Sequence, residues 1–262
     1  MNGIVIIPTY NEAANLEPLV HRILSQPVTL DVLIVDDNSP DGTGDIADRL
    51  ARDWAATRGR VHVLHRPGKE GLGRAYLAGF AWALARDYQL LIEMDADFSH
   101  DPIFLQSMVE ASDEADVVLG SRYLNGISVV NWPLSRILLS WGANQYVRLV
   151  TGLKPNDCTS GYRVYRREAL EAMDIAGVLS SGYSFQVEMT FRAALAGCRI
   201  SEVPIIFTER REGSSKMSRG VIWESVRVPL KLRFRERALR THLHTVAAHS
   251  AEAVPTPLKK AA

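Results

Sequence analysis

Two cysteines, Cys158 and Cys198, are all that the 262 residues contain. That is too few for a disulfide framework or a cysteine-based metal cluster, and a reducing compartment is the simplest setting. A surplus of positive charge is also missing, since 30 Lys and Arg face 30 Asp and Glu, which argues against a nucleic-acid partner. No uninterrupted run of about 18 apolar residues occurs, so a transmembrane helix is not expected. The least charged stretch, 123–153, holds only Arg136 and Arg148, yet Asn, Ser, Pro and Gly break it repeatedly. It is better suited to lying on a bilayer than to spanning one. No basic segment precedes the first apolar run, so no secretory signal is expected. Ser-His-acid, zinc-ligand and P-loop patterns are absent as well.

What is present is globular: 47% hydrophobic and 23% charged residues, with length for one large α/β domain. Short β-rich runs at 4–7, 31–35, 61–64, 90–94 and 116–119 alternate with helical patterns at 12–24, 43–56, 72–85 and 102–111. Strands separated by helices of this length predict βαβ units and a mostly parallel sheet. Past residue 126 the alternation fails. An amphipathic helix is predicted over 134–150, strands over 162–165 and 200–207, and helices over 168–173 and 185–196. A basic segment at 221–246 reads as helical except at Pro229, and 247–262, rich in Ala, Pro and Lys, reads as a disordered tail. Residues 1–220 would then form the main domain.

Parallel sheets bind ligands beyond the carboxyl ends of their strands, so the residues there carry the functional reading. Asp95-Ala96-Asp97, the chain's only D-x-D, directly follows the run 90–94. Two carboxylates at a buried strand end repel each other unless something positive lies between them, and a hard divalent cation bridging to a diphosphate meets that need. Asp36-Asp37 ends the second strand, where a carboxylate can accept from a ribose or base edge; the following Asn38-Ser39-Pro40-Asp41-Gly42 also suits a turn with helix capping. A receiver domain is disfavoured, because the acid pair follows the second strand rather than the first. Arg136, Ser140, Asn144 and Arg148 recur at spacing four and form one polar helical stripe, with Arg and Ser one turn apart as a fork for phosphate; a merely wet polar face has the same spacing. Arg210, Arg211 and Lys216 lie in a Gly/Ser-containing loop, cations of the kind that stabilise a departing diphosphate.

In order along the chain, Val5-Ile6-Ile7-Pro8-Thr9-Tyr10-Asn11-Glu12, Val35-Asp36-Asp37-Asn38-Ser39-Pro40-Asp41-Gly42-Thr43, Met94-Asp95-Ala96-Asp97-Phe98-Ser99-His100, Gly120-Ser121-Arg122-Tyr123, Asn131-Trp132-Pro133, Thr159-Ser160-Gly161-Tyr162-Arg163, Glu202-Val203-Pro204-Ile205 and Gly213-Ser214-Ser215-Lys216 resemble family-2 glycosyltransferases. The closest likeness is to dolichol-phosphate (polyprenol-phosphate) mannose synthases. The resemblance implies a GT-A, Rossmann-like α/β fold with C-terminal amphipathic helices. It implies a nucleotide-sugar site of Pro8, Tyr10, Glu12, Val35, Asp37, Asp95, Ala96 and Asp97, with Mg2+ or Mn2+ held by Asp95, Asp97 and Ser99. Arg122, Arg136 and Ser140 would engage the acceptor phosphate, and Arg210 and Lys216 would close on the donor.

The implied reaction is inverting transfer of mannose from GDP-mannose to a polyprenyl monophosphate. UDP-linked glucose or N-acetylglucosamine is the nearest alternative, and a silent nucleotide-sugar-binding subunit a more distant one. A processive polysaccharide synthase is disfavoured because its Q-x-x-R-W string is missing. Trp132, Trp141 and the cations Arg227, Lys231, Arg233, Arg235, Arg237 and Arg240 suit an anionic leaflet. Peripheral attachment to the cytoplasmic membrane face is expected, with room for an integral-membrane anchoring partner.

Overall fold

The computed structural model describes residues 2–57, 59–180, 182, 184–209 and 219–252. Strand β1 (Gly3–Thr9), helix α1 (Ala13–Leu24), β2 (Asp31–Asp36), α2 (Thr43–Asp53), β3 (Val61–His65), α3 (Leu72–Leu84) and β4 (Leu90–Glu93) follow the predicted alternation. A 3-10 turn at Pro102–Phe104 leads into α4 (Leu105–Ala111) and then β5 (Val117–Ser121). The second half contains β6 (Val129–Val130), α5 (Leu134–Thr151), β7 (Arg163–Arg166), α6 (Arg167–Ala172), α7 (Phe185–Leu195), β8 (Ile200–Pro204), β9 (Phe207–Thr208) and α8 (Arg219–Glu252).

Seven strands form one sheet in the order β3-β2-β1-β4-β7-β5-β8. All neighbours are parallel except β7, which runs antiparallel to both β4 and β5. The period-2 runs sort side chains onto two faces. Val5, Ile7, Val32 and Ile34 pack beneath α1, α2 and α4 with Leu16, Leu19, Leu50 and Leu105. Ile4, Ile6, Leu33 and Val35 pack on the other face with Tyr76, Phe80, Phe185 and Met189 from α3 and α7. Gly79 permits the close seat of α3, since a Cβ there would lie 2.5 Å from Ile6 Cγ2.

Two predicted elements differ. The single strand over 200–207 is two: Pro204 ends β8, and β9 leaves the sheet to pair with β6. Proline offers no amide for continued pairing, and Ile205 N turns instead to Ser121 O at 3.0 Å. The break predicted at Pro229 does not occur, because α8 runs through it and on to Glu252, into the stretch whose composition suggests a tail. One lost amide is tolerated where the helix is docked elsewhere, and α8 buries Leu232 and Leu243 with Val147, Phe191 and Leu195 of α5 and α7.

Candidate active site

The strand directions bring the site together at one edge. Strands β1, β2, β4 and β5 all finish there. β7 starts there, because its Arg163 pairs with Glu93 at the end of β4 and with Leu119 on β5. The loop 156–161 before β7 therefore lies beside the D-x-D turn and the residues after β5. Three turns on this edge use left-handed residues: Asn11, Asn38 and Phe98, with φ of 62°, 58° and 62°. Asparagine accepts that conformation readily, whereas a bulky Phe costs on the order of 1–2 kcal/mol. The strained residue sits between Asp97 and Ser99.

The D-x-D carboxylates are held from below. Asp95 Oδ1 accepts from the Tyr76 hydroxyl at 3.1 Å, and Asp95 N donates to His100 Nδ1 at 3.1 Å. Burial holds the Tyr76 phenol far above its ordinary range and the His100 imidazole below its own, so both stay neutral. Asp97 Oδ1 accepts from Ser99 N at 3.0 Å. The Ser99 hydroxyl is buried and has no partner among the described residues, so an oxygen donor stands unused beside two carboxylates. Ala96 is buried and packs into the core. Beneath the turn, Glu93 is wholly buried, accepts from Gln186 Nε2 at 2.7 Å, and is pushed by burial up to about 8. Among the described residues, no group of three or more His, Cys, Asp and Glu side chains is placed to bind a metal. A Mg2+-type site needs only one or two carboxylates when substrate phosphates supply the rest, and Asp95, Asp97 and Ser99 fit that demand.

At the end of β2, Asp36 is structural: it accepts from Thr9 Oγ1 at 3.1 Å and from Ser39 Oγ at 2.6 Å. Asp37 faces Arg66, whose Nη1 donates to it at 2.5 Å, and burial raises the Asp37 carboxyl despite that cation. Tyr10 is exposed with the Lys69 ammonium 4.1 Å over its ring. Glu12 accepts from Asn15 Nδ2 at 2.9 Å, and its amide donates to Thr43 Oγ1 at 3.0 Å. Pro8 lies in β1 opposite Val35. The Val35 side chain is fully buried in the core, so only its backbone can serve a ligand.

Arg122, expected at the acceptor phosphate, is buried just past β5: Nε and Nη2 donate to the Asp157 carboxylate at 2.6 and 2.7 Å, and Nη2 to Thr159 Oγ1 at 2.8 Å. Arg122 holds the Asp157 carboxyl below its ordinary range against burial. Asp157 is fixed in turn by Glu202, which accepts from Asn156 N at 2.8 Å and Asp157 N at 3.0 Å. Arg122 is thus a fixed partner of the loop before β7, its charge balanced by Asp157.

The polar stripe of α5 is not a wet face. It points inward. Asn144 is wholly buried, donates to Thr159 Oγ1 at 3.1 Å and accepts from Cys158 N at 2.9 Å. Ser140 Oγ accepts from the Tyr123 hydroxyl at 2.7 Å. The Arg136 guanidinium lies 4.0 Å over the Trp132 ring and pairs with Glu209. The apolar residues of the same helix face outward, Leu138 at 58%, Trp141 at 47% and Leu149 at 86% exposed. The Phe207 ring lies 5.5 Å from His100 and 5.4 Å from the Arg122 guanidinium. Arg210 and Lys216 lie outside the described residues.

Asp157, Glu93, Gln186, Tyr76, Arg66 and Glu209 escape the sequence reading. Only Arg66 carries a local signal, as the cation just past the third strand.

The glycosyl transferase family 2 model matches residues 4–174. The undecaprenyl-phosphate mannosyltransferase of Micrococcus luteus is 51% identical over 226 residues, covering 86% of this chain and 91% of that one. The polyprenol monophosphomannose synthase of Mycolicibacterium smegmatis is 51% identical over 224 residues, covering 85% and 83%. Among solved structures, a mannosyltransferase of Pyrobaculum calidifontis in complex with GDP-Man and Mn2+ superposes with a TM-score of 0.56 at 17% identity, over 98% of this chain and 76% of that one. S. aureus TarS with UDP-GlcNAc gives 0.60 at 19% identity, over 95% and 73%. At such identity these two establish the GT-A fold alone. By the matched family model and by the two relatives identical at half their positions, the chain belongs to glycosyl transferase family 2.

Proposed function

We propose that the enzyme transfers mannose from GDP-mannose to a polyprenyl monophosphate, with inversion, at the cytoplasmic face of a membrane. The observation that carries this reading is the orientation of α5: its Arg136–Ser140 face is turned into the site while Leu138, Trp141 and Leu149 face out. A lipid acceptor needs both faces. Its phosphate meets Arg136 and Ser140, and its hydrocarbon stays with the apolar side. The names of the two relatives support the same acceptor class and sugar.

An acceptor phosphate, with its second pKa near about 6, is already ionised at neutral pH. It therefore needs positioning and partial charge screening rather than a general base, which accounts for arginines where a sugar-hydroxyl acceptor would call for a carboxylate. Arg136 and Ser140 orient the attacking oxygen, and the buried Arg122–Asp157 pair anchors the loop before β7 beside them. Tyr76 fixes the Asp95 carboxylate, His100 fixes the Asp95 backbone amide, and the Ser99 amide fixes the Asp97 carboxylate. Asp95, Asp97 and Ser99 would hold a divalent cation, Mg2+ or Mn2+, whose charge offsets that building on the departing nucleoside diphosphate. Arg210 and Lys216 are assigned to the same diphosphate on sequence grounds. Tyr10 offers a ring for the base to stack on, and Asp37 offers an acceptor edge beside the Arg66 donor.

Membrane attachment is assigned to the outward side of α5 and to residues 221–246 of α8, where Trp223 and Phe234 are exposed beside Arg227, Lys231, Arg235 and Arg237. Among the described residues, no helix is long and apolar enough to cross a membrane.

The test is a panel of labelled GDP- and UDP-sugars with polyprenyl phosphates, with Mg2+, with Mn2+ and with chelator. GDP-mannose should give a polyprenyl-phosphate-linked product only with metal. Asp97→Asn should lower kcat by about 100-fold or more with an unchanged circular dichroism spectrum. Preference for a UDP-sugar, or near-normal turnover by Asp97→Asn, would overturn the reading.

A further inference from the structure

We propose that Glu209 is a built-in counter-anion for the acceptor site, a carboxylate that occupies Arg136 until the substrate phosphate displaces it. The inference rests on the acceptor reading above and adds to it a residue that sets acceptor affinity.

The geometry distinguishes two arginines. Arg122 and Asp157 are both almost wholly buried and joined through two nitrogens, with the acid further tied to backbone amides. Parting such a pair leaves a buried charge bare, so it stays closed. Arg136 and Glu209 keep 27% and 35% of their side chains exposed, and one nitrogen makes the contact. Ion pairs at that exposure contribute about 0–1 kcal/mol. They exchange readily for a better anion.

The surroundings of Arg136 fit that exchange. The guanidinium lies over Trp132, 4.0 Å from its centroid, and a guanidinium on an aromatic face keeps nitrogens for anions. Glu209 does not come from the main sheet. It follows β9 on the short strap paired with β6, and its amide donates to Val130 O at 3.2 Å. One turn along α5 from Arg136, Ser140 Oγ takes the Tyr123 hydroxyl at 2.7 Å. The buried Trp132 Nε1–H has no acceptor among the described residues. Buried donors are nearly always paired, so this indole asks for an oxygen that a ligand would bring.

The charges give the pair a direction. The substrate is a phosphate monoester with a charge of about −1.5 to −2 at neutral pH; the glycosylated product is a diester with a single negative charge. Glu209 competes for Arg136 with both, and more effectively with the weaker anion. It therefore raises the acceptor concentration needed and favours release of product.

Glu209→Gln keeps the shape and removes the charge. With polyprenyl phosphate varied at saturating GDP-mannose, its acceptor KM should fall about two- to fivefold, the donor KM should stay put, and inhibition by added product should strengthen. Glu209→Asp should restore wild-type behaviour, and Glu209→Ala, a second neutral variant, should shift acceptor KM in the same direction. An acceptor KM that is unchanged or higher in both neutral variants overturns the proposal. Inorganic phosphate, titrated by tryptophan fluorescence against wild type, Glu209→Gln and Trp132→Phe, separates this idea from the functional reading. If wild type transfers nothing to polyprenyl phosphate, the functional reading falls. Equal phosphate affinity in wild type and Glu209→Gln then sinks the counter-anion as well, while tighter binding by Glu209→Gln sustains it.

Discussion

Glu93 is a wholly buried carboxylic acid seated under the D-x-D turn, with Gln186 Nε2 at 2.7 Å. Its pKa rises from the ordinary 4.5 to about 8, so the folded protein keeps a proton that the unfolded chain gives up. Its stabilising contribution is full below pH 4.5 and is lost as pH rises toward about 8. Glu93→Gln keeps the shape and abolishes the slope. Urea midpoints should show the variant gaining on wild type between pH 5 and pH 8, and a constant difference would show that the acid is not carrying its proton. The Arg122–Asp157 pair makes the opposite case. Asp157→Asn leaves a buried guanidinium without its counter-charge, a loss of about 3–5 kcal/mol that urea denaturation at neutral pH should register. The companion acid was out of reach of sequence reading. Asp157 lies 35 residues from Arg122, Gln186 lies 93 from Glu93, and Glu209 lies 73 from Arg136. No local period links residues so far apart. The D-x-D itself was legible because a strand pattern runs straight into it, and strand ends mark the edge where ligands bind.

Helix α5 shows where element-level reading stops. Its spacing reveals two faces but not which one the fold turns inward, because that choice is made by Asn144 meeting Thr159 and Cys158, residues from another loop. With the apolar side outward, Leu138→Glu should cost the fold within about 0.5 kcal/mol yet reduce flotation with lipid vesicles severalfold. A variant that floats as wild type does would remove α5 from the docking surface. The end of β8 and the course of α8 show the same limit. Pro204 does end a strand, whereas Pro229 does not end a helix, since propensity yields where Leu232 and Leu243 are already buried. Within 3–121 the predicted strands and helices match in kind, because short apolar runs between turn-forming residues leave little choice.

At the scale of the molecule, a net charge of zero conceals an uneven distribution. Between Glu224 and Arg240, α8 carries six cations against two acids. The proposed attraction to an anionic surface is therefore local and short-ranged, and the Debye length shrinks from about 10 Å at 0.1 M salt to about 3 Å at 1 M. Binding to anionic vesicles should weaken several-fold over that range and be poor on neutral vesicles at low salt. Equal binding to both vesicle types would leave the apolar residues as the whole attachment.

Strand β7 has a further consequence. Running against its neighbours and bonded to both, it stitches the β3-β2-β1-β4 half of the sheet to the β5-β8 half. Such a ladder leaves no seam on which two lobes could hinge open. Whatever breathing turnover demands falls to the connections at the strand tips, and the scaffold beneath them works as an anvil, keeping the D-x-D turn and the start of β7 at a fixed spacing.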